Sequence, residues 1–201
     1  MSLLFDRIAR QLFAGCCSAL ALLSLDLPAA GQVKFSDLEG ADVNAVIEFD
    51  QRVRRAGRTF PVRIQQKWKL SIRAENAIDL TVRSTARGPS GTRQAEPNTG
   101  TFTLDEPSRV RNRGGGDVLW TFAEETLTFT RTFPSGAFRA HFALANGPGG
   151  LTCTATGAFA RERGKNDIQL DSPFGGGLIT IVSARQAAST CKVLQAEQRR
   201  E

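Results

Sequence analysis

From about residue 43 onward, apolar and polar positions alternate with a period of two, in segments separated by Gly, Pro and Asn. The clearest segment is FPVRIQQKWKLSIR, residues 60–73. Phe60, Val62, Ile64, Trp68, Leu70 and Ile72 share one parity, and Arg63, Lys67, Lys69 and Arg73 share the other. The alternation predicts strands over 43–54, 60–73, 77–84, 101–105, 117–123, 126–133, 137–144, 151–160 and 178–184, with a short one near 189–194. No stretch beyond residue 31 shows a helical period. Loops at 85–100 and 106–116 separate a basic first part from a Thr-rich second part. Three strands cannot bury a core alone, so one domain over 32–194 is predicted, followed by a disordered tail at 195–201.

Register tests the parity, because facing strands must share an apolar side. A turn at Ala56-Gly57 pairs Val53 with Phe60, Phe49 with Ile64 and Ala45 with Trp68, and sets Asp50 opposite Arg63. Ala74-Glu75-Asn76 sets Ile72 against Ile78 and Trp68 against Val82, with Asp79 diagonal to Lys69. A turn at 123–126 pairs Phe122 with Leu127 and Trp120 with Phe129. A four-residue loop, PSGA, pairs Phe133 with Phe138 and Phe129 with Phe142, and the loop 145–150 pairs Leu144 with Leu151 and Phe142 with Cys153. Strand 60–73 is too long to run straight through so small a domain, so it must coil strongly or bend at a bulge, for which Gln65-Gln66 is the candidate place. The predicted fold is all-β, an antiparallel up-and-down β-barrel of about 8–10 strands, with a two-sheet β-sandwich as the alternative.

The N-terminus differs. Arg7 and Arg10 precede LFAGCCSALALLSL, and small residues follow in LPAAGQ, the order of a secretory signal peptide. Cleavage after Gly31 is expected; an uncleaved anchor, or lipidation at Cys16, would be the other readings. The protein is then periplasmic or secreted and does not span a membrane after cleavage. Export leaves Cys153 and Cys191 as an even pair, expected as a disulfide bond. A metal site would need more ligands, since His141 is the single histidine.

Charge changes the picture locally. The formal net charge is +6, yet residues 52–93 alone hold eleven Arg or Lys against Glu75 and Asp79. The cationic stripe of Arg63, Lys67, Lys69, Arg73 and Arg83 is either the solvated side of a sheet or a binding face for an anionic envelope surface. Export and the absence of an aromatic platform argue against nucleic acid. No catalytic constellation is present: His141 has no nucleophile partner, Glu124-Glu125 sits in a turn, and the glycine triplets at 114–116 and 175–177 lack the residues of a phosphate loop. A non-enzyme without cofactors is expected. Arg131 is the exception to the polar/apolar sorting, because the register puts it inward with Leu127, Phe129 and Phe133. Its expected neighbours, Ala140, Ala155 and Gly157, are small and would leave a cavity whose polar contact is Arg131. The alternative is an arginine that reaches water or an acid near the barrel mouth. The expected function is an exported non-catalytic binding protein for a small amphipathic or anionic ligand; the alternative is an envelope protein acting through its basic sheet face.

GTFTL (100–104), LWTFAEETLTFTRTF (119–133), GLTCTATGAFARERG (150–164) and SARQAASTCKV (183–193) resemble a group of small exported alphaproteobacterial proteins of unassigned function. The resemblance covers most of the chain after the leader. It implies export and a common Cys153–Cys191 framework, and no activity. The architecture is similar to lipocalin- and avidin-like barrels by analogy of fold alone.

Overall fold

The computed structural model describes residues 31–109, 116–165, 167–174 and 177–195. The leader and the tail beyond Gln195 lie outside the described residues, as do the glycine triplets at 114–116 and 175–177 apart from Gly116 and Gly177. Gly31 onward forms one compact unit.

The fold is all-β and antiparallel, with twelve strands among the described residues. They are β1 Asp42–Arg55, β2 Arg58–Ile72, β3 Ala77–Gly88, β4 Gly91–Gln94, β5 Asn98–Thr103, β6 Ser108–Arg109, β7 Asp117–Ala123, β8 Thr126–Phe133, β9 Gly136–Gly147, β10 Gly150–Arg161, β11 Ile168–Asp171 and β12 Leu178–Leu194. A strongly curled sheet is ordered β11-β12-β1-β2-β3-β4, with β5 also on β3, and a second sheet is ordered β10-β9-β8-β7-β6. Both turn their apolar parity toward one core.

The first hairpins follow the predicted register: Val53 faces Phe60, Phe49 faces Ile64 and Ala45 faces Trp68, while Trp68 faces Val82 on the other side. Ala56 (φ 48°) and Gly57 (φ 76°) both take positive φ, the form that lets a two-residue turn match strand twist. Of the two expectations for β2, strong coiling holds and a bulge at Gln65-Gln66 does not: Glu48↔Gln65 and Ile47↔Gln66 continue an unbroken ladder. Strand β2 has neighbours on both edges, so an extra residue there would orphan hydrogen bonds in two ladders at once. The irregularities fall instead in β12, opposite Glu48/Phe49 and Arg52/Val53. That strand lacks a second ladder along most of its length, so a bulge costs less. This makes one strand of the two segments predicted at 178–184 and 189–194.

Two later registers are corrected. Phe133 faces Gly136 and Gly147 faces Gly150, so Pro134-Ser135 and Pro148-Gly149 are two-residue turns. Each slips the pairing by two residues, which leaves every inward side chain inward. Phe129 therefore faces Ala140, Phe142 faces Ala155, and Leu144 faces Cys153.

The two sheets meet along β10 and β12 without a shared backbone ladder. Side chains make the join: Cys153 and Cys191 form a disulfide, Gln186 Oε1 accepts the Gly157 N–H at 2.7 Å, and Arg161 donates to the Val182 carbonyl. Closing a 38-residue loop in the unfolded chain, the disulfide stabilises by about 4 kcal/mol on the chain-entropy account. At one end a 3-10 turn, Phe35–Leu38, with Val33 before it, closes the core. Val33, Phe35 and Leu38 are buried; Phe35 packs edge-on to Phe122 (5.6 Å), and the Val33 N–H donates to Glu125 Oε1 at 2.8 Å. Mid-core, Trp68 stacks among Phe129, Phe138 and Phe142, with ring centroids 5.2, 6.1 and 5.7 Å away. The opposite end is not filled.

A candidate ligand cavity at the open end

Register explains why that end stays open. The inward parity of β2 is filled by Ile72, Leu70 and Trp68 toward the plugged end, then passes to Gln66, Ile64, Val62 and Phe60. On β1 the same inward line ends in Phe49, Gln51 and Val53, and on β8 it passes from Leu127 and Phe129 to Arg131. Three strands thus place a polar residue inward, and all three lie away from Val33, Phe35 and Leu38. Together they line a cavity of about 280 Å³. Its walls are Phe60, Val62, Ile64, Phe129, Phe138 and Phe159, with Ser84 contributed by β3. The β3–β4 turn, Pro89 and Ser90, forms the rim together with Arg55, Arg93 and Glu96.

Arg131 opposes Val118 and Phe138 across the sheet. Its guanidinium carbon lies 5.3 Å from the centre of the Phe133 ring. The Nε is buried and has no hydrogen-bond partner, and among the described side chains no carboxylate forms an ion pair with Arg131. Burial alone lowers its pKa from the usual guanidinium value. On two other residues that line the cavity, Gln66 Oε1 and Trp68 Nε1 are also buried without a partner. The indole N–H of Trp120 is also without a partner and lies outside it.

The structure does not bring Ala140, Ala155 and Gly157 to this cavity. The slip at Pro134-Ser135 exchanges Ala140 for Phe138 opposite Arg131. Ala140 and Ala155 are fully packed mid-core, and Gly157 makes way for Phe49, since a Cβ there would stand 2.5 Å from the Phe49 ring. Their small size accommodates an aromatic ring and leaves no void.

On the outer face the cationic stripe divides. Arg63 pairs with Asp50 at 2.8 Å, Lys69 with Asp42 at 3.6 Å and Arg73 with Asp79 at 2.9 Å. Asp79 stands diagonal to Lys69 as predicted, but it pairs with Arg73, whose side chain reaches past the turn. Lys67 and Arg83 are directly opposite each other, without a carboxylate partner among the described residues. They border a shallow furrow with Lys69, Lys192, Thr81 and Thr190. His141 Nδ1 is 3.0 Å from Thr128 Oγ1. Among the described residues no cluster of His, Cys, Asp and Glu is arranged to hold a metal ion, and no helix is long and apolar enough to cross a membrane.

The sequence assigns Gln51 and Ser84 no role and marks Gln66 only as a place for a bulge. Gln66 had a signal: it is the polar residue standing on the apolar parity of 60–73. No protein-family model, no curated protein and no solved structure matches this chain.

Proposed function

We propose that this protein is a non-catalytic carrier or receptor for a small amphipathic acid, held in the open-end cavity with its anionic head on Arg131. One observation carries the reading: Arg131 lines a largely apolar cavity and forms no ion pair with any described carboxylate. A half-buried cation without a counterion is unfavourable, and a ligand carboxylate offsets this by a charge-assisted pair. The aromatic and aliphatic walls suit the rest of such a molecule. Export to the periplasm or beyond fits a disulfide-bonded domain.

The test uses 11-(dansylamino)undecanoic acid as a fluorescent probe, with decanoic acid, decanol and decylamine as competitors. Decanoate should displace the probe, and decylamine should not. Arg131→Met should weaken decanoate binding roughly 10- to 100-fold, the loss expected for one charge-assisted hydrogen bond. Equal affinity for decanoate and decylamine would overturn the reading.

A second reading rests on Lys67 and Arg83. Like charges placed directly across a strand pair oppose folding, which favours an anionic envelope surface as their partner. Binding there should fade as salt rises from 50 to 300 mM, whereas binding in the cavity should change little.

A further inference from the structure

The two ends of the core carry opposite charge in their connections. At the closed end, residues 33–41, 73–76 and 124–125 hold Lys34 and Arg73 against Asp37, Glu39, Glu75, Glu124 and Glu125. At the open end the balance is reversed. The tip of the β1–β2 hairpin brings Arg54, Arg55 and Arg58, and that of the β3–β4 hairpin brings Arg87 and Arg93, with no acid in either. Residues 161–167, between β10 and β11, add Arg161, Arg163 and Lys165 against Glu162 and Asp167. These connections meet around one mouth. Arg54 forms an ion pair with Asp167, and Arg55, Arg93, the Pro89-Ser90 turn and Ser172–Phe174 line the same cavity, where Glu96 is the one acid. Arg58, Arg87, Arg93, Arg163 and Lys165 are exposed and form no ion pair with a described carboxylate. Like charges gathered at one end repel one another, so the arrangement opposes folding unless an anionic surface answers it.

The same end carries exposed apolar surface. Leu178, the first residue of β12, is 59 % exposed, and it is the one large hydrophobic side chain so exposed among the described residues. Its neighbour Ile179 lines the cavity, and Pro89 and Pro173 are exposed at the tips of the adjoining turns. A soluble polyanion would answer the arginines and leave Leu178 in water. Anionic headgroups over acyl chains answer both. We infer that the protein docks open end first on an anionic phospholipid bilayer, with its arginines among the headgroup phosphates and Leu178 in the interface. The acids of the closed end are repelled by the same surface, which turns the mouth toward the membrane on approach. Joined to the carrier reading, on which this consequence rests, docking lets a poorly soluble amphipathic acid pass between bilayer and cavity without crossing water. The surface is distinct from Lys67 and Arg83, which lie on the outer face of β2 and β3 around another furrow.

Co-sedimentation with phosphatidylcholine vesicles, with and without about 30 % phosphatidylglycerol, tests this by the range of membrane charge that drives such binding. The purified protein should sediment with the anionic vesicles and stay in solution with the neutral ones. Arg58→Gln with Arg163→Gln should weaken partitioning roughly 30-fold, the share of two cations at an anionic surface. Leu178→Ser should weaken it about ten-fold, the loss from one partly buried leucine. Lys67→Gln with Arg83→Gln should change it far less than the rim pair does. Equal binding to neutral and anionic vesicles overturns the inference, as does a larger loss in the Lys67 and Arg83 variant than at the rim. Retention on dextran sulfate beads without vesicle binding overturns it in favour of a polysaccharide. Displacement of the dansyl probe by decanoate, measured without vesicles, reports the cavity reading separately. Arg58, Arg163 and Leu178 do not line the cavity, so their variants should keep it; a natural protein that sediments with anionic vesicles and binds no acid overturns the carrier reading and leaves docking in place.

Discussion

Replacing Arg131 by methionine should make the empty protein more stable. Arg131 lines the cavity with its Nε buried and unpartnered, and no described carboxylate pairs with it. An orphaned buried donor costs about 1–3 kcal/mol. The compensating contact is the face of Phe133, at 5.3 Å, which contributes about 0.5–1 kcal/mol. Methionine keeps an unbranched chain in the same space and carries neither charge nor donor, so the net gain should be about 1–2 kcal/mol. In a domain of this size that raises the melting temperature by about 2–8 °C. The assay is differential scanning calorimetry at pH 7 on ligand-free protein. Decanoate at saturating concentration should then reverse the order. At a hundred times its Kd a ligand stabilises by about 2.7 kcal/mol, and only the natural protein keeps the head-group contact. A melting temperature several degrees below that of the natural protein, without ligand, would show that Arg131 holds the fold together, and the reasoning from its missing partner would be refuted.

Two other perturbations probe the frame around the site. Gly157→Ala puts a Cβ 2.5 Å from a ring that is itself wedged between Phe138 and Phe159, at 5.8 and 5.6 Å. Overpacking of this kind costs about 1–3 kcal/mol; calorimetry should record a drop of several degrees, relieved by Phe49→Leu in the double variant, and an unchanged melt would mean Phe49 can move aside. Acid should also destabilise the protein in a defined window. Arg63 bonded to Asp50 holds that carboxyl below its usual value, and Thr101 followed by Arg73 does the same for Asp79. Groups with lowered folded pKa stabilise above the unfolded value, about 3.9, and lose that contribution as pH falls through the folded one. Melting temperature should therefore decline below about pH 4, and Asp50→Asn with Asp79→Asn should flatten the decline; an equally steep profile in the double variant would contradict it.

Parity explains both what could be read from the sequence and what could not. Inward and outward sides were legible from Asp42 onward, because a single solvent-shielded core sorts side chains by that rule alone. The first hairpins were legible to the residue, since Ala56-Gly57 and Ala74-Glu75-Asn76 are short and sharply marked. Parity is blind to a slip of two. That is why Arg131 was placed inward but given Ala140 for a neighbour in place of Phe138. Strand β4, with all four residues exposed, carries no apolar code, and β11 has only four residues, so both were read as loop. In β12 the small and polar run Ala184–Ser189 hid a continuous strand, whose bulges sit where one edge has no ladder to disturb. At the site, Gln66 was visible as a fault in an otherwise regular stripe, and the error was to assign that fault to the backbone when it belonged to the interior.

With Val33, Phe35 and Leu38 stoppering the far end, the enclosure is a blind alley. On the proposed reading a ligand would enter and leave at the same end, past the Pro89-Ser90 turn and the Ser172–Phe174 stretch, which both line the cavity.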